Sequence, residues 1–208
     1  MIKDIFSQIT IPRTFTPRKI DQVTKQLSKT IPESLPYNYG LTKLVLFLNK
    51  EQVLKIPFSG DSYISFRIKD YCKEESLIYE SAVAAGLEKY FAKTIFFCSS
   101  KNEYPIYTSE RIFFDGFYKK EDSTVLTKER LQLITSLTQI YENFFEQNYI
   151  NIPLKWSSAA IDYYGVPSFK KFLEFLYNED INDLHSGNLG FREDGSPVIF
   201  DYSGYWED

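Results

Sequence analysis

The residues best suited to chemistry lie late in a 208-residue chain: Asp183-Leu184-His185-Ser186-Gly187-Asn188, and then Asp201. Asp194-Gly195, set between two apolar runs, predicts a hairpin turn. That turn places Asn188 just before one strand and Asp201 just after the next. Asp183, Asn188 and Asp201 are therefore expected at one end of a small ribbon. Three oxygen-bearing side chains there suit a hard cation such as Mg2+, which takes carboxylate and carbonyl ligands and keeps waters for substrate phosphates. A carboxylate that is not a ligand can accept a proton from an attacking hydroxyl. As a plain turn network, Asp183 and Asn188 would only cap the preceding helix. His185 is the sole histidine. No Gly-x-Ser-x-Gly elbow is present for it to serve, so its expected task is to hydrogen-bond the loop that carries Asp183.

Composition narrows the classes. There are 24 Lys+Arg against 28 Asp+Glu, a net charge of -4, so a broad footprint for nucleic acid is not expected. A hydrophobic content of 43% with 25% charged residues describes a globular chain and excludes wholesale disorder. One His and two Cys cannot furnish the four ligands of a structural zinc site. Cys72 and Cys98 form no CxxC motif and read as free thiols of a reducing compartment. No signal-peptide core and no run near 18 apolar residues occur, so the expectation is a cytoplasmic protein without a membrane span.

The elements that must position the site follow from periodicity. Residues 1–36, punctuated by Pro12, Pro17, Pro32 and Pro36, read as a solvated arm with a short helix over Ile20 to Ser28. Arg13, Arg18 and Lys19 on it offer a phosphate or partner contact, with a solvated face as the plainer expectation. Leu41 to Leu48 and Gln52 to Phe58 predict a strand pair around the Asn49-Lys50 turn. Lys69 to Tyr90 predicts a helix through Leu77, Ile78, Val83 and Leu87, with Gly86 near its end. Thr94 to Cys98 and Pro105 to Thr108 are further strands. Beyond residue 111 the pattern turns helical: Thr127 to Gln147 with Thr127 as N-cap, Ser157 to Tyr164, and a third helix from Pro167 through Phe169, Phe172, Leu173, Leu176 and Tyr177. The fold class is thus α+β, an antiparallel sheet with one helix followed by helices. The expected division is an arm (1–36), a sheet lobe (37–110) and a helical lobe (111–208).

Asp-Leu-x-x-x-Asn, an Asp thirteen residues after that Asn, and the upstream strand Val53-Leu54-Lys55 resemble the protein-kinase-like superfamily. The match is closer to the aminoglycoside-phosphotransferase and small-molecule kinase branch. The ending, with Val-Ile-Phe-Asp-Tyr-Ser-Gly-Tyr, also resembles uncharacterised kinase-like proteins of phages and prophages. The resemblance covers roughly residues 37–208 and implies a bilobal fold that binds ATP and Mg2+. It implies that Asp183 is the base orienting an acceptor hydroxyl, and that Asn188 and Asp201 hold Mg2+. Lys55 would contact the α- and β-phosphates and pair with Glu75; Glu74 and Glu80 stay open as its partner. Gly40 stands where the Gly-rich phosphate loop belongs. Tyr107 to Ile112, with Glu110 and Ile112, would be the hinge beside the adenine.

The departures carry their own expectations. Gly40 is the one glycine of its loop. Ile181-Asn182 replaces His-Arg or His-Gly before Asp183, and Tyr202-Ser203 replaces Phe-Gly after Asp201. Seven residues follow Asp201, so a reduced helical lobe without a peptide-docking platform is expected. Three functions compete. The first is ATP- and Mg2+-dependent phosphoryl transfer to an unspecified acceptor. The second is a non-catalytic, pseudokinase-like binding protein, for instance a phage protein that blocks a host or defence factor. The third is nucleotidyl transfer. Exposed aromatic surface on a reduced lobe would invite a protein partner or a second copy.

Overall fold

Strands form where apolar residues alternate between turns, and the first half of the chain shows this clearly. A computed structural model describes residues 2–12, 17–30, 35–40, 42–57, 70–112, 126–148 and 150–203. Its elements fall into two compact units, residues 1–77 with 93–111, and residues 78–92 with 112–208.

The first unit is built on a five-stranded antiparallel sheet: β1 (Tyr37–Tyr39), β2 (Lys43–Phe47), β3 (Gln52–Pro57), β4 (Thr94–Ser99) and β5 (Pro105–Glu110), in the order β1-β2-β3-β5-β4. One face carries Leu44, Leu46, Leu54 and Ile56, all fully buried. These pack with Phe6, Ile9, Ile11, Ile20, Val23 and Leu27 from α1 (Ile2–Gln8), α2 (Pro17–Ser28) and the segment between. The solvated arm expected from the sequence is therefore corrected. Ile20, Val23 and Leu27 recur at helical spacing and make a core-facing stripe, while the flanking prolines delimit elements instead of marking a loose tail. Arg18 is exposed, Lys19 is half-buried, and Arg13 lies outside the described residues.

The opposite face of the sheet meets α3 (Tyr71–Ala85). Asp70 caps this helix, accepting from the Lys73 amide at 2.9 Å. Gly86 ends it with φ +69°, where glycine alone avoids a steric penalty. The Leu87 amide then reaches Ala82 O at 2.8 Å and the Gly86 amide reaches Val83 O at 3.1 Å, which satisfies the final carbonyls. The single helix expected over 69–90 is thus a helix and a separate 3-10 turn at Glu88–Tyr90. Its buried face also differs. Leu77 and Val83 are exposed, while Cys72, Glu75, Ser76 and Ala82 are buried.

The second unit is mostly helical: α4 (Lys128–Thr138), α5 (Glu142–Gln147), α6 (Leu154–Tyr164) and α7 (Val166–Asn178), with the ribbon β6 (Leu189–Phe191) and β7 (Pro197–Ile199). Thr127 caps α4, accepting from the Arg130 amide at 3.2 Å. A 3-10 turn at Gln139–Tyr141 breaks the helix expected over 127–147. The core is aromatic: Tyr90, Phe91, Trp156, Phe169, Phe172 and Tyr202 are all fully buried. Tyr90 stacks on Phe172 with centroids 4.4 Å apart. Trp156 donates its indole N–H to Gly190 O at 3.2 Å, tying α6 to the ribbon. The architecture is α+β, an antiparallel N-terminal sheet followed by a helical part. Among the described residues no helix is long and apolar enough to cross a membrane.

Packing of the N-terminal segment has a measurable consequence. Phe6→Ala is expected to lower unfolding stability by about 3–5 kcal/mol, the cost of emptying a buried aromatic site. Urea denaturation reads this directly, and a solvated arm would show almost no change.

Candidate functional site

The first unit places a buried ionic cluster on the α3-facing side of the sheet. In the β2–β3 register Val45 pairs with Lys55 and Lys43 with Pro57, so Lys43 and Lys55 are diagonal neighbours on one face. Glu75, fully buried on α3, lies between them. Its Oε1 is 2.5 Å from Lys43 Nζ and its Oε2 is 2.5 Å from Lys55 Nζ. Thr94 on β4 donates to Oε2 at 3.3 Å. Its hydroxyl is also 3.0 Å from that of Ser109, which must then be the donor of that bond. Of the three glutamates left open by the sequence, Glu75 is the partner of Lys55; Glu80 is exposed and Glu74 half-buried. Lys43 was missed by sequence reasoning. Its one signal was strand parity with Val45 and Phe47, which has no meaning until the register with β3 is known.

Cys72, one turn before Glu75, is a free thiol that burial pushes well up in pKa. Nearby, Tyr107 on β5 donates to Asp70 Oδ2 at 2.7 Å. Burial and that carboxylate together push the phenol up. Tyr107 to Glu110 belong to β5, which runs two residues past the expected end at Thr108. Glu110 donates its amide to Lys93 O at 3.0 Å. Ile112 is half-buried and is the first residue of this stretch assigned to the second unit. Gly40 is exposed in the β1–β2 turn, and its amide is used on Lys43 O at 3.1 Å. A Cβ there would meet open space, so this backbone does not require glycine.

The second unit builds the loop around Asp183. Ile181 and Leu184 are buried and anchor it from both sides. The Asp183 amide donates to Asn148 O at 2.8 Å, and the Asn151 amide to Leu184 O at 2.6 Å. Asp183 itself has φ +56°, in the left-handed region where Asp and Asn are tolerated better than other side-chain-bearing residues. Asn188 donates its side-chain N–H to Asp183 O at 2.6 Å. Its own carbonyl accepts the Phe200 amide at 3.0 Å, so the β6–β7 ribbon delivers residues 188 and 200 side by side, with Asp201 next in the chain. Gly195 turns the ribbon at φ +83°. Tyr202, following Asp201, is fully buried and donates to Ala92 O at 2.8 Å, which pins the end of the ribbon. Burial raises the Asp183 carboxyl above its ordinary value; His185 opposes the rise and the Asp201 carboxylate adds to it.

His185 has a defined place. Its Nδ1 accepts the Gly187 amide at 2.9 Å, which leaves Nε2 to carry the proton of the neutral ring. Nε2 lies 3.8 Å from Asp183 Oδ1. A Cβ on Gly187 would meet the ring at 2.6 Å, so glycine is needed there for the imidazole to lie over the backbone.

Among the described residues no group of three or more His, Cys, Asp or Glu is placed to hold a metal ion. The candidate set is instead an amide and a carboxylate beside a second carboxylate. The bond from the Asn188 N–H to Asp183 O sets the direction of the Asn188 side-chain carbonyl. An amide oxygen and a carboxylate are hard donors of the kind Mg2+ takes while retaining several waters, so Asn188 and Asp201 are the residues that could hold it.

No protein-family model and no curated protein matches the sequence. Among solved structures, the chain is similar to the GDP and kanamycin complex of the aminoglycoside phosphotransferase APH(2")-IIia, at 14% identity over 88% of this chain and 72% of that one, with a TM-score of 0.39. It is also similar to APH(2")-IIa in its ternary complex with streptomycin and ATP, at 13% identity over 91% of this chain and 71% of that one, with a TM-score of 0.32. Both TM-scores are below 0.5, and neither likeness gives a residue of this chain its role.

Two stability outcomes follow from the geometry. Glu75→Gln leaves two buried ammonium groups without their shared carboxylate and is expected to cost about 3–5 kcal/mol, read by chemical denaturation. At Asp183, Asn keeps the left-handed backbone and removes a partly buried charge beside Asp201, so Asp183→Asn is expected to fold at least as stably as the wild type at neutral pH. Asp183→Ala should be about 1 kcal/mol worse than Asp183→Asn, because alanine pays the left-handed cost. The pH sign is fixed by the raised native pKa. The native state holds this proton more tightly than the unfolded chain. Its stabilising contribution is complete below the ordinary value of 3.8 and is lost as pH rises through the raised one. Stability of Asp183→Asn relative to wild type should therefore grow with pH across the acid range.

Proposed function

We propose that this chain is an ATP- and Mg2+-dependent phosphotransferase of the protein-kinase-like kind, working on a hydroxyl acceptor in the cytoplasm. The observation that carries this reading is the buried pair Lys55–Glu75, at 2.5 Å, on the strand and helix where the resemblance implies a phosphate-binding lysine and its partner. A lysine held by a buried glutamate is preset in one direction, which lowers the cost of meeting an anion there. The two free thiols suit a reducing compartment.

In this reading Asp183 accepts the proton of the acceptor hydroxyl as that oxygen bonds to the γ-phosphorus of ATP and the bond from that phosphorus to its bridging oxygen breaks, with ADP as the leaving group. The raised pKa of Asp183 makes it a better base than an ordinary carboxylate, and its left-handed backbone points it by main-chain geometry. His185, through Nε2, is a positioning residue for that carboxylate. Asn188 and Asp201 would hold the Mg2+, which would neutralise charge on the phosphates. Gly40 is not needed in the reading, since its amide already serves the turn.

The committed Gly40 amide favours one second reading, a pseudokinase-like binding protein that captures a partner without turnover. The two readings separate on one comparison. Wild type with ATP and Mg2+ is expected to show a thermal shift, of the order of 2.7 kcal/mol of stabilisation at a hundredfold excess over Kd, and to release ADP. Asp183→Asn should keep the shift and lose ADP release. Equal turnover in both proteins would sink the role of Asp183. A shift without any turnover in the wild type would leave the binding reading, and release of pyrophosphate in place of ADP would mean nucleotidyl transfer.

A further inference from the structure

We infer that Tyr202 is a positioning residue for Asp201, acting through the bond from its hydroxyl to Ala92 O. This rests on the reading of Asp201 as a residue that would hold Mg2+. It gives a task to the tyrosine that stands where the resemblance has phenylalanine.

Asp201 lies beyond the end of the ribbon ladder. The β6–β7 pairing closes with Leu189 opposite Ile199, and the Phe200 amide adds one bond to Asn188 O at 3.0 Å. On the far side of Asp201 the chain is held by Tyr202. Its ring is fully buried and meets Phe91 edge-on, with centroids 5.1 Å apart. Its hydroxyl donates to Ala92 O at 2.8 Å. The Ala92 amide in turn donates to Ile199 O at 2.7 Å. One residue, Ala92, thus binds the chain two positions before Asp201 and one position after it.

Such a clasp works only if its other half is fixed. Arg192, at the turn end of the ribbon, donates to Lys89 O at 2.8 Å and to Phe91 O at 3.2 Å. Phe91 also bridges Ile199 in parallel register. Residues 89–92 are therefore tied to the ribbon at both of its ends.

The hydroxyl supplies what the ring does not. Apolar burial is non-directional, so a phenylalanine would fill the same space without setting how far the chain reaches toward Ala92. An O–H to carbonyl bond fixes distance and angle. With residues 199 and 202 both fixed, the main chain at Asp201 has one course, and its carboxylate is ordered before a cation arrives. Ordering in advance lowers the cost of binding.

The test uses the full chain as wild type, Tyr202→Phe, Asp201→Asn, the double variant Asp201→Asn/Tyr202→Phe, and Phe91→Leu as a core control. Calorimetry measures ATP affinity in EDTA and again in saturating Mg2+, at a temperature where thermal melting shows each variant folded. The gain in affinity on adding Mg2+ is the quantity read. Tyr202→Phe is expected to lose about three- to tenfold of that gain, as for one hydrogen bond, with affinity in EDTA unchanged. Asp201→Asn should lose most of the gain, and the double variant should lose no more than Asp201→Asn. Phe91→Leu should melt lower and keep the gain. Four outcomes overturn the inference: a full gain in Tyr202→Phe; equal losses with and without Mg2+, which mark a structural role; a further loss in the double variant, which means that Tyr202 does not act through Asp201; or the same loss in Phe91→Leu, which means that any damage to this core suffices. If the wild type binds no ATP, or gains nothing from Mg2+, or if Asp201→Asn keeps the whole gain, the underlying reading of the site fails, and that result is distinct from all four.

Discussion

A carboxylate buried to zero exposure must be paired, and the first unit is arranged around meeting that demand for Glu75. Moving one charge from water into a protein interior costs several kcal/mol, and good geometry is what offsets it. Lys43 from β2, Lys55 from β3, Thr94 from β4 and, behind it, Ser109 from β5 all converge on this one side chain. Four strands and a helix are thereby held in one register by polar contacts on one face. Apolar contacts do the same on the other, where α1 and α2 cover Leu44, Leu46, Leu54 and Ile56. The apolar face accounts for stability, since burial is worth roughly 25 cal/mol per Å2. The ionic face accounts for direction, because two ammonium groups are aimed by a single acceptor.

The second unit reaches a comparable precision by different means. Its core of Tyr90, Phe91, Trp156, Phe172 and Tyr202 fixes the ribbon through large rings, two of which also donate to backbone carbonyls at the ribbon and beside it. The Asp183 loop is held at the ends by buried Ile181 and Leu184 and in the middle by backbone bonds. Asp183 can then sit in a left-handed conformation, a local cost that the anchored surroundings sustain. Loop and ribbon are short, so positional error does not accumulate between Asn188 and Asp201.

Much of this was legible from patterns of short range. The β2–β3 turn, the Thr127 cap, the Asp194-Gly195 hairpin and the juxtaposition of Asn188 with the far strand follow from local spacing and turn chemistry. Reading the N-terminal segment as an arm failed because four prolines obscured a clear i, i+3, i+7 stripe of Ile20, Val23 and Leu27. The face of α3 was misjudged for a physical reason. Hydrophobic spacing through Leu77 and Val83 assumes that charge faces water, whereas this helix turns Glu75 inward because two lysines wait there. Leu77 and Val83 are left exposed as a result.

By itself the sequence determined the α+β class, the order strand, strand, helix, strand, strand and then helices, and the spacing of Asp183, Asn188 and Asp201 along the chain. Those depend on periodicities of two and 3.6 residues and on turns a few residues long. Tertiary structure alone decided which glutamate meets Lys55, that Lys43 meets the same glutamate, and that Gly40 has no amide to spare. Such facts depend on strand register and helix rotation, where a slip of one residue carries every side chain to the opposite face. No local pattern encodes that choice; it is settled when a buried charge and its partners must meet.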